Sequence, residues 1–213
     1  MLGAAAATVL LTLVWFASFH IPLVEHADVS IFHGFGEVGS RPHIAWFAHS
    51  IARLCNEKPY LYLCGLPVLL AVTRRRFWLA LEVGSILVGA NLTTRVLKHL
   101  LAHPRAEGLV STNSWPSGHT TAATALTLCC VLAAPARIRP LVAGAGAAFV
   151  VATASSLLLI GAHYPSDVIA GFLVAIIWTL GGIGTSRVAR EARRKLTSWP
   201  ATPRKSRSPG CVE

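Results

Sequence analysis

The sequence predicts an all-α fold: a polytopic bundle of six transmembrane helices, with short interfacial helices between spans 1 and 2. Three observations carry this. Of the 213 residues, 54 % are hydrophobic and only 13 % are charged, where a soluble domain carries about 25 % charged residues. Uncharged stretches such as Leu141 to Ile160 reach the roughly 20 apolar residues that a helix needs to cross a bilayer. Basic residues gather between the apolar runs, as they do in cytoplasmic loops.

Taken in order, the spans are expected at about 4–20, 59–73, 77–97, 118–135, 141–160 and 168–186. The first apolar run lacks a basic start and a small-x-small cleavage site, so it reads as an uncleaved span and not a signal peptide. Segment 21–58 is too long for a plain connection. Asp28 to Phe32 and Ile44 to Leu54 carry apolar residues at partly helical spacing, as in helices lying on the membrane interface. Pro116-Ser117 and Pro165-Ser166 mark the starts of the fourth and sixth spans. Residues 1–196 are expected to form a single integral-membrane domain. The segment 197–213, rich in Pro, Ser and Arg, reads as a disordered basic tail.

Charge sets the expected topology. With the amino terminus inside, the 74–76 and 135–140 loops and the tail place thirteen Lys or Arg in the cytoplasm, against six outside, the direction the positive-inside rule requires. Both termini are then cytoplasmic in a multi-pass protein of the cell membrane. The net charge of +10 does not point to nucleic acid, because no basic face interleaved with aromatics accompanies it. The five cysteines show no metal or disulfide spacing. The histidines at 20, 26, 33, 43 and 49 lack tight ligand spacing and suit an interface better than a metal site.

Three polar islands interrupt the apolar pattern, and this topology puts all of them on the extracytoplasmic face. The first runs from Lys98 to Arg105, the second is Pro116-Ser117-Gly118-His119, and the third is His163-Tyr164-Pro165-Ser166-Asp167. In the second, Ser117 caps a helix whose first amides and positive dipole end attract an anion. Gly118 allows close backbone approach, and His119 can deliver a proton near neutral pH. In the third, Asp167 can fix one nitrogen of His163 and leave the other as a nucleophile. Lys98 offers a point charge and Arg105 a planar fork for phosphate oxygens. Each island alone also has an ordinary reading, as a helix cap, an aspartate cap beside an interfacial histidine, or a solvated basic loop.

The order Lys-x6-Arg, Pro-Ser-Gly-His and His-x3-Asp resembles the type 2 phosphatidic acid phosphatase superfamily, over roughly Phe77 to Thr185. The resemblance implies that His163 is the nucleophile that forms a phosphohistidine, Asp167 its partner and His119 the general acid. Lys98, Arg105, Ser117 and Gly118 would cradle the phosphate. No metal or other cofactor is implied, since fixed cations and helix amides stabilise the charge. The implied substrate is a lipid phosphate or diphosphate drawn from the membrane: phosphatidic acid, phosphatidylglycerol phosphate or a polyprenyl phosphate. Abundant Ala, Arg, Gly and Val with little Lys leans toward a bacterial source and a cell-envelope substrate.

Two departures from the family pattern stand out. Arg105 is followed by Ala106, with Pro104 ahead of it, where the family has Arg-Pro. The third motif has Ser156-Leu157 where the family has Ser-Arg, so one phosphate-gripping guanidinium is replaced by leucine. Asn91, Arg95 and Lys98 share a helix face at i, i+4, i+7, which makes Arg95 the candidate replacement. Its rival roles are snorkelling at the interface or pairing with Glu82. The functional alternative is a weak or inactive member that binds lipid phosphates, or an accessory subunit of envelope lipid synthesis.

Overall fold

The computed structural model describes residues 1–101, 103, 110 and 114–197. Among these residues the fold is wholly helical, with eight helices: α1 Leu2–His20, α2 Pro22–Gly39, α3 Pro42–Arg53, α4 Glu57–Thr73, α5 Phe77–Leu101, α6 Gly118–Ala133, α7 Arg139–Leu159 and α8 Pro165–Thr197. The two interfacial helices expected between the first two spans are α2 and α3. Each opens on a proline at its first position, where the missing N–H costs nothing and the fixed φ suits a helix.

Among the described residues, four helices are long and apolar enough to cross a bilayer: α1, α5, α7 and residues Pro165–Ala189 of α8. The other two expected spans are shorter, α4 with 17 residues and α6 with 16. At 1.5 Å per residue they extend about 24–26 Å, against a hydrocarbon core of about 30 Å. For α6 the packing supplies a reason. It is surrounded by α4, α5, α7 and α8, and Thr120 through Leu126 are all buried. Its small Ala and Thr side chains let four neighbours approach, as small residues do between membrane helices.

The core lies where α5, α6 and α8 meet, built from Val83, Ile86, Leu87, Ala90, Ala125, Leu126, Cys129, Val174 and Ala175. The apolar residues at the opposite surface, Leu61, Leu66 and Leu69 of α4 and Trp78, Leu81, Val88 and Leu92 of α5, are each more than half exposed. Leucines and a tryptophan facing outward are the pattern of a protein whose solvent is lipid. The chain is a multi-pass membrane protein.

One end of the bundle gathers the ends of four helices, α1, α5, α6 and α8. Trp15 Nε1 in α1 donates to the Leu101 carbonyl at the end of α5 (3.0 Å), and Phe19 meets Trp115 edge-on before α6. The backbone N–H of Ser117 donates to the Asp167 carbonyl in α8 (2.9 Å). At the other end, Arg74 and Arg139 donate to the last carbonyls of α6, those of Ala133 and Ala134, where cations complement the helix dipole.

Two boundaries extend past the apolar pattern. α5 runs on to Leu101, so Lys98 stands in its last turn. α8 continues to Thr197 because Arg187 to Lys195 are mostly Arg, Ala and Glu, good helix formers with no glycine or proline among them. Hydropathy ends where lipid ends, whereas the helix ends only where its backbone is broken. The predicted tail lies outside the described residues beyond Thr197.

Candidate active site

The turn that carries His163 is made by the way α7 stops. After Leu157-Leu158-Leu159 the chain reaches Gly161 with φ +66°, a left-handed conformation that glycine adopts without steric cost. The Gly161 N–H returns to the Leu158 carbonyl (3.1 Å) and the Ala162 N–H to the Leu157 carbonyl (2.9 Å), the paired bonds of a Schellman ending. His163 emerges immediately afterward, and α8 begins at Pro165.

Asp167 occupies the first turn of α8 and is fully buried. Its Oδ2 accepts the Tyr164 N–H (3.1 Å) and lies 3.3 Å from His163 Nδ1. The backbone contact is the returning half of a capping box, which fixes the carboxylate against the turn. With Nδ1–H donating to Asp167, the His163 tautomer is set and Nε2 retains its lone pair. His163 is 8 % exposed, so its ring is almost wholly enclosed.

The second island is bound to the third by backbone. Besides the bond from Ser117 N–H to the Asp167 carbonyl, Gly171 of α8 sits against the Ser117 carbonyl so closely that a Cβ there would collide with it. The Thr121 hydroxyl lies 2.9 Å from the Ser117 carbonyl and 3.1 Å from that of Gly171, and Thr94 of α5 donates to Thr121 (3.0 Å). Ser117 caps α6, its Oγ accepting from Thr120 N (3.4 Å). The first turn of α6 therefore meets the first turn of α8, with Gly118 opening the helix.

Lys98 donates to the Ser114 carbonyl (3.0 Å). This bond brings Lys98 of the first island to the segment that leads into the second. Arg105 lies outside the described residues.

Arg95 is placed differently. Its guanidinium pairs with Glu57 at 3.0 Å, and both side chains are largely exposed. Asn91, one turn before it, donates to the Tyr60 hydroxyl (2.9 Å). The face shared by Asn91 and Arg95 is thus turned toward the start of α4, and only Lys98 reaches the Ser114–Ser117 turn. Glu82 accepts instead from Ser186 (2.8 Å).

One residue that sequence reasoning passed over is Asn56. It holds the N-cap position of α4 with extended backbone but makes no capping bond. Its Oδ1 lies 3.0 Å from His119 Nε2, an acceptor for that N–H. An asparagine N-cap is ordinarily worth about 1 kcal/mol to its helix; here the amide is turned to a histidine 63 residues away. The signal in the sequence was an asparagine before an apolar run, which reads only as a helix start.

Leu157 is 1 % exposed and sits at the end of α7, its carbonyl anchoring the turn that presents His163. The position where the resemblance implies an arginine is thus held by a buried apolar side chain.

An enclosed His–Asp pair, a second histidine and a lysine thus come together at two helix starts in a helical membrane bundle. The chain belongs to the PAP2 superfamily, whose family model matches residues 79–190, more than half of its 213 residues. Its fold is also that of a solved protein, described as the first transmembrane PAP2 type phosphatidylglycerolphosphate phosphatase from Bacillus subtilis. The TM-score is 0.74 at 19 % identity, over 88 % of this chain and 98 % of that one. Among curated protein sequences, none matches the chain.

Proposed function

We propose that this protein is a metal-independent lipid phosphatase working through a phosphohistidine on His163. The observation that carries the reading is the buried pairing of His163 Nδ1 with Asp167 at 3.3 Å, in a turn bonded to the start of α6. Nε2 of His163 attacks phosphorus, and the bond to the lipid oxygen breaks. His119 gives that oxygen its proton, keeping Asn56 as acceptor of its other N–H. His119 then takes a proton from water, whose oxygen attacks phosphorus. The P–N bond breaks, Nε2 regains its lone pair and inorganic phosphate leaves. Lys98, Arg105, Ser117 and the α6 amides beginning at Gly118 hold the phosphoryl oxygens. Two carboxylates already lie at the start of α8, Asp167 and Asp28, which leaves the start of α6 as the anion site.

The basic residues at the opposite end of the bundle support an extracytoplasmic site, where a lipid keeps its tail in the leaflet and offers its phosphate to water. The substrate class comprises phosphatidic acid, phosphatidylglycerol phosphate and polyprenyl phosphates or diphosphates. Purified full-length protein is expected to release phosphate from at least one of these in the presence of a chelator, with vanadate inhibiting. Release from none of the panel, with lipid phosphate still bound, would instead favour the lipid-phosphate-binding reading, for which Leu157 speaks.

The pairing of Arg95 with Glu57 sharpens the question of compensation. For Arg95 to grip phosphate it must leave Glu57, an exposed pair worth at most about 1 kcal/mol and so easily exchanged. Arg95→Gln is expected to lower kcat/KM about tenfold if Arg95 makes that exchange, since a charge-assisted bond contributes about 1.5–3 kcal/mol. Unchanged turnover leaves Arg95 as a surface partner of Glu57 and nothing more.

A further inference from the structure

Asp28 stands in α2, 5 % exposed, far in sequence from all three islands. Its carboxylate takes two donors from one residue of the nucleophile turn: Oδ1 accepts the Ser166 N–H (3.1 Å) and Oδ2 accepts the Ser166 hydroxyl. Ser166 lies between Pro165 and Asp167 in the first turn of α8. Its N–H is one of the donors that a helix start leaves without an intrahelical partner.

In α6 the corresponding need is met locally, by the side chain of Ser117. In α8 the residue before the helix is Tyr164, whose hydroxyl cannot fold back to its own first turn. The acceptor comes instead from another helix, 138 residues earlier. Other contacts seat α2 on the same turn. The Phe32 ring packs on Tyr164, centroids 5.2 Å apart, and closes over Gly161. Gly39 at the end of α2 lies so near the Leu159 carbonyl that no Cβ would fit.

From these contacts we infer that Asp28 is a positioning residue for the nucleophile: it holds the first turn of α8 in the register that sets Asp167 against His163. Asp167 binds the chain on one side of Ser166, through Tyr164 and His163, and Asp28 binds Ser166 itself. The turn is thereby tied both to its own preceding loop and to the interfacial helix. Removing Asp28 frees the α8 start to shift or fray. Small displacements matter, since misplacement by about 1 Å from a remote change can cost about a hundredfold in rate. Substrate contacts at Lys98, Ser117 and Gly118 are untouched, so the effect falls on kcat.

The inference rests on the phosphatase reading of the site, and the test separates the two. Full-length wild type, Asp28→Ala, Asp28→Asn, Ser166→Ala, the double variant Asp28→Ala/Ser166→Ala and His163→Ala are assayed for phosphate release over a range of lipid phosphate. Asp28→Ala is expected to lose at least about tenfold in kcat with KM within about twofold. Asp28→Asn, which keeps an acceptor for the Ser166 N–H, recovers part of the loss. The double variant falls no further than Asp28→Ala, because both changes break one interaction. If Asp28→Ala does not fold, Ser166→Ala carries the same kcat-against-KM comparison. A wild type that turns over while Asp28→Ala or Ser166→Ala keeps its kcat overturns the proposal alone. So does a loss of kcat matched by an equal loss of folded protein. A wild type releasing no more phosphate than His163→Ala overturns the phosphatase reading and this inference with it.

Discussion

His163→Ala is expected to lower kcat for phosphate release by at least about a thousandfold, the scale on which covalent enzymes lose activity with their nucleophile. The variant leaves Asp167 in place with its Tyr164 N–H bond at 3.1 Å, so the α8 start keeps its cap and the fold is expected to survive. Lys98, Ser117 and His119 also remain, and lipid phosphate should still bind. The signature is therefore loss of turnover with binding retained, read by phosphate release alongside a lipid-phosphate binding assay. His119→Ala is expected to be milder, within the roughly 10²- to 10⁴-fold contribution of general acid–base catalysis. Equal activity of wild type and His163→Ala would remove this histidine from the chemistry.

The second large effect is expected from Leu157→Arg. Leu157 is buried at the end of α7, directly before the turn that presents His163, at the position where the resemblance implies a phosphate-binding arginine. A guanidinium at this depth without a counter-ion costs several kcal/mol, so the variant should melt below wild type in buffer free of oxyanions. Vanadate supplies the missing charge and should raise its melting temperature more than it raises that of wild type. Catalysis should gain about tenfold or more in kcat/KM, toward the 10²–10³ that one preorganised donor commonly contributes. No gain in rate and no added response to vanadate would make Leu157 an ordinary core residue.

How much of this was legible in the chain depends on the physical cause. Helix existence was, because apolar runs and the starts at Pro116-Ser117 and Pro165-Ser166 are local signals. The meeting of the second and third islands was anticipated from charge placement, and the bonds among Ser117, Asp167 and Gly171 are its structural form. What escaped are contacts between residues distant in sequence whose types carry no pattern. Asn56 reads as a cap for α4 until its amide is seen beside His119, and Asp28 reads as one polar residue of an amphipathic helix until its carboxylate is seen on Ser166. The length of α8 escaped for a different reason: hydropathy reports where lipid stops and says nothing of a helix that continues into water. Arg95 shows the limit of helical spacing, which put it on a face with Lys98 yet left its partner Glu57, on a separate helix, undetermined.

The most direct measurement is to trap the enzyme during turnover with radiolabelled lipid phosphate, quench in alkali and locate the label. Phosphohistidine is stable to base and lost in acid, so the account predicts acid-labile, base-stable label on His163 in wild type and in His119-substituted protein, and none in His163→Ala. Label on another residue, or undiminished labelling of His163→Ala, would contradict it.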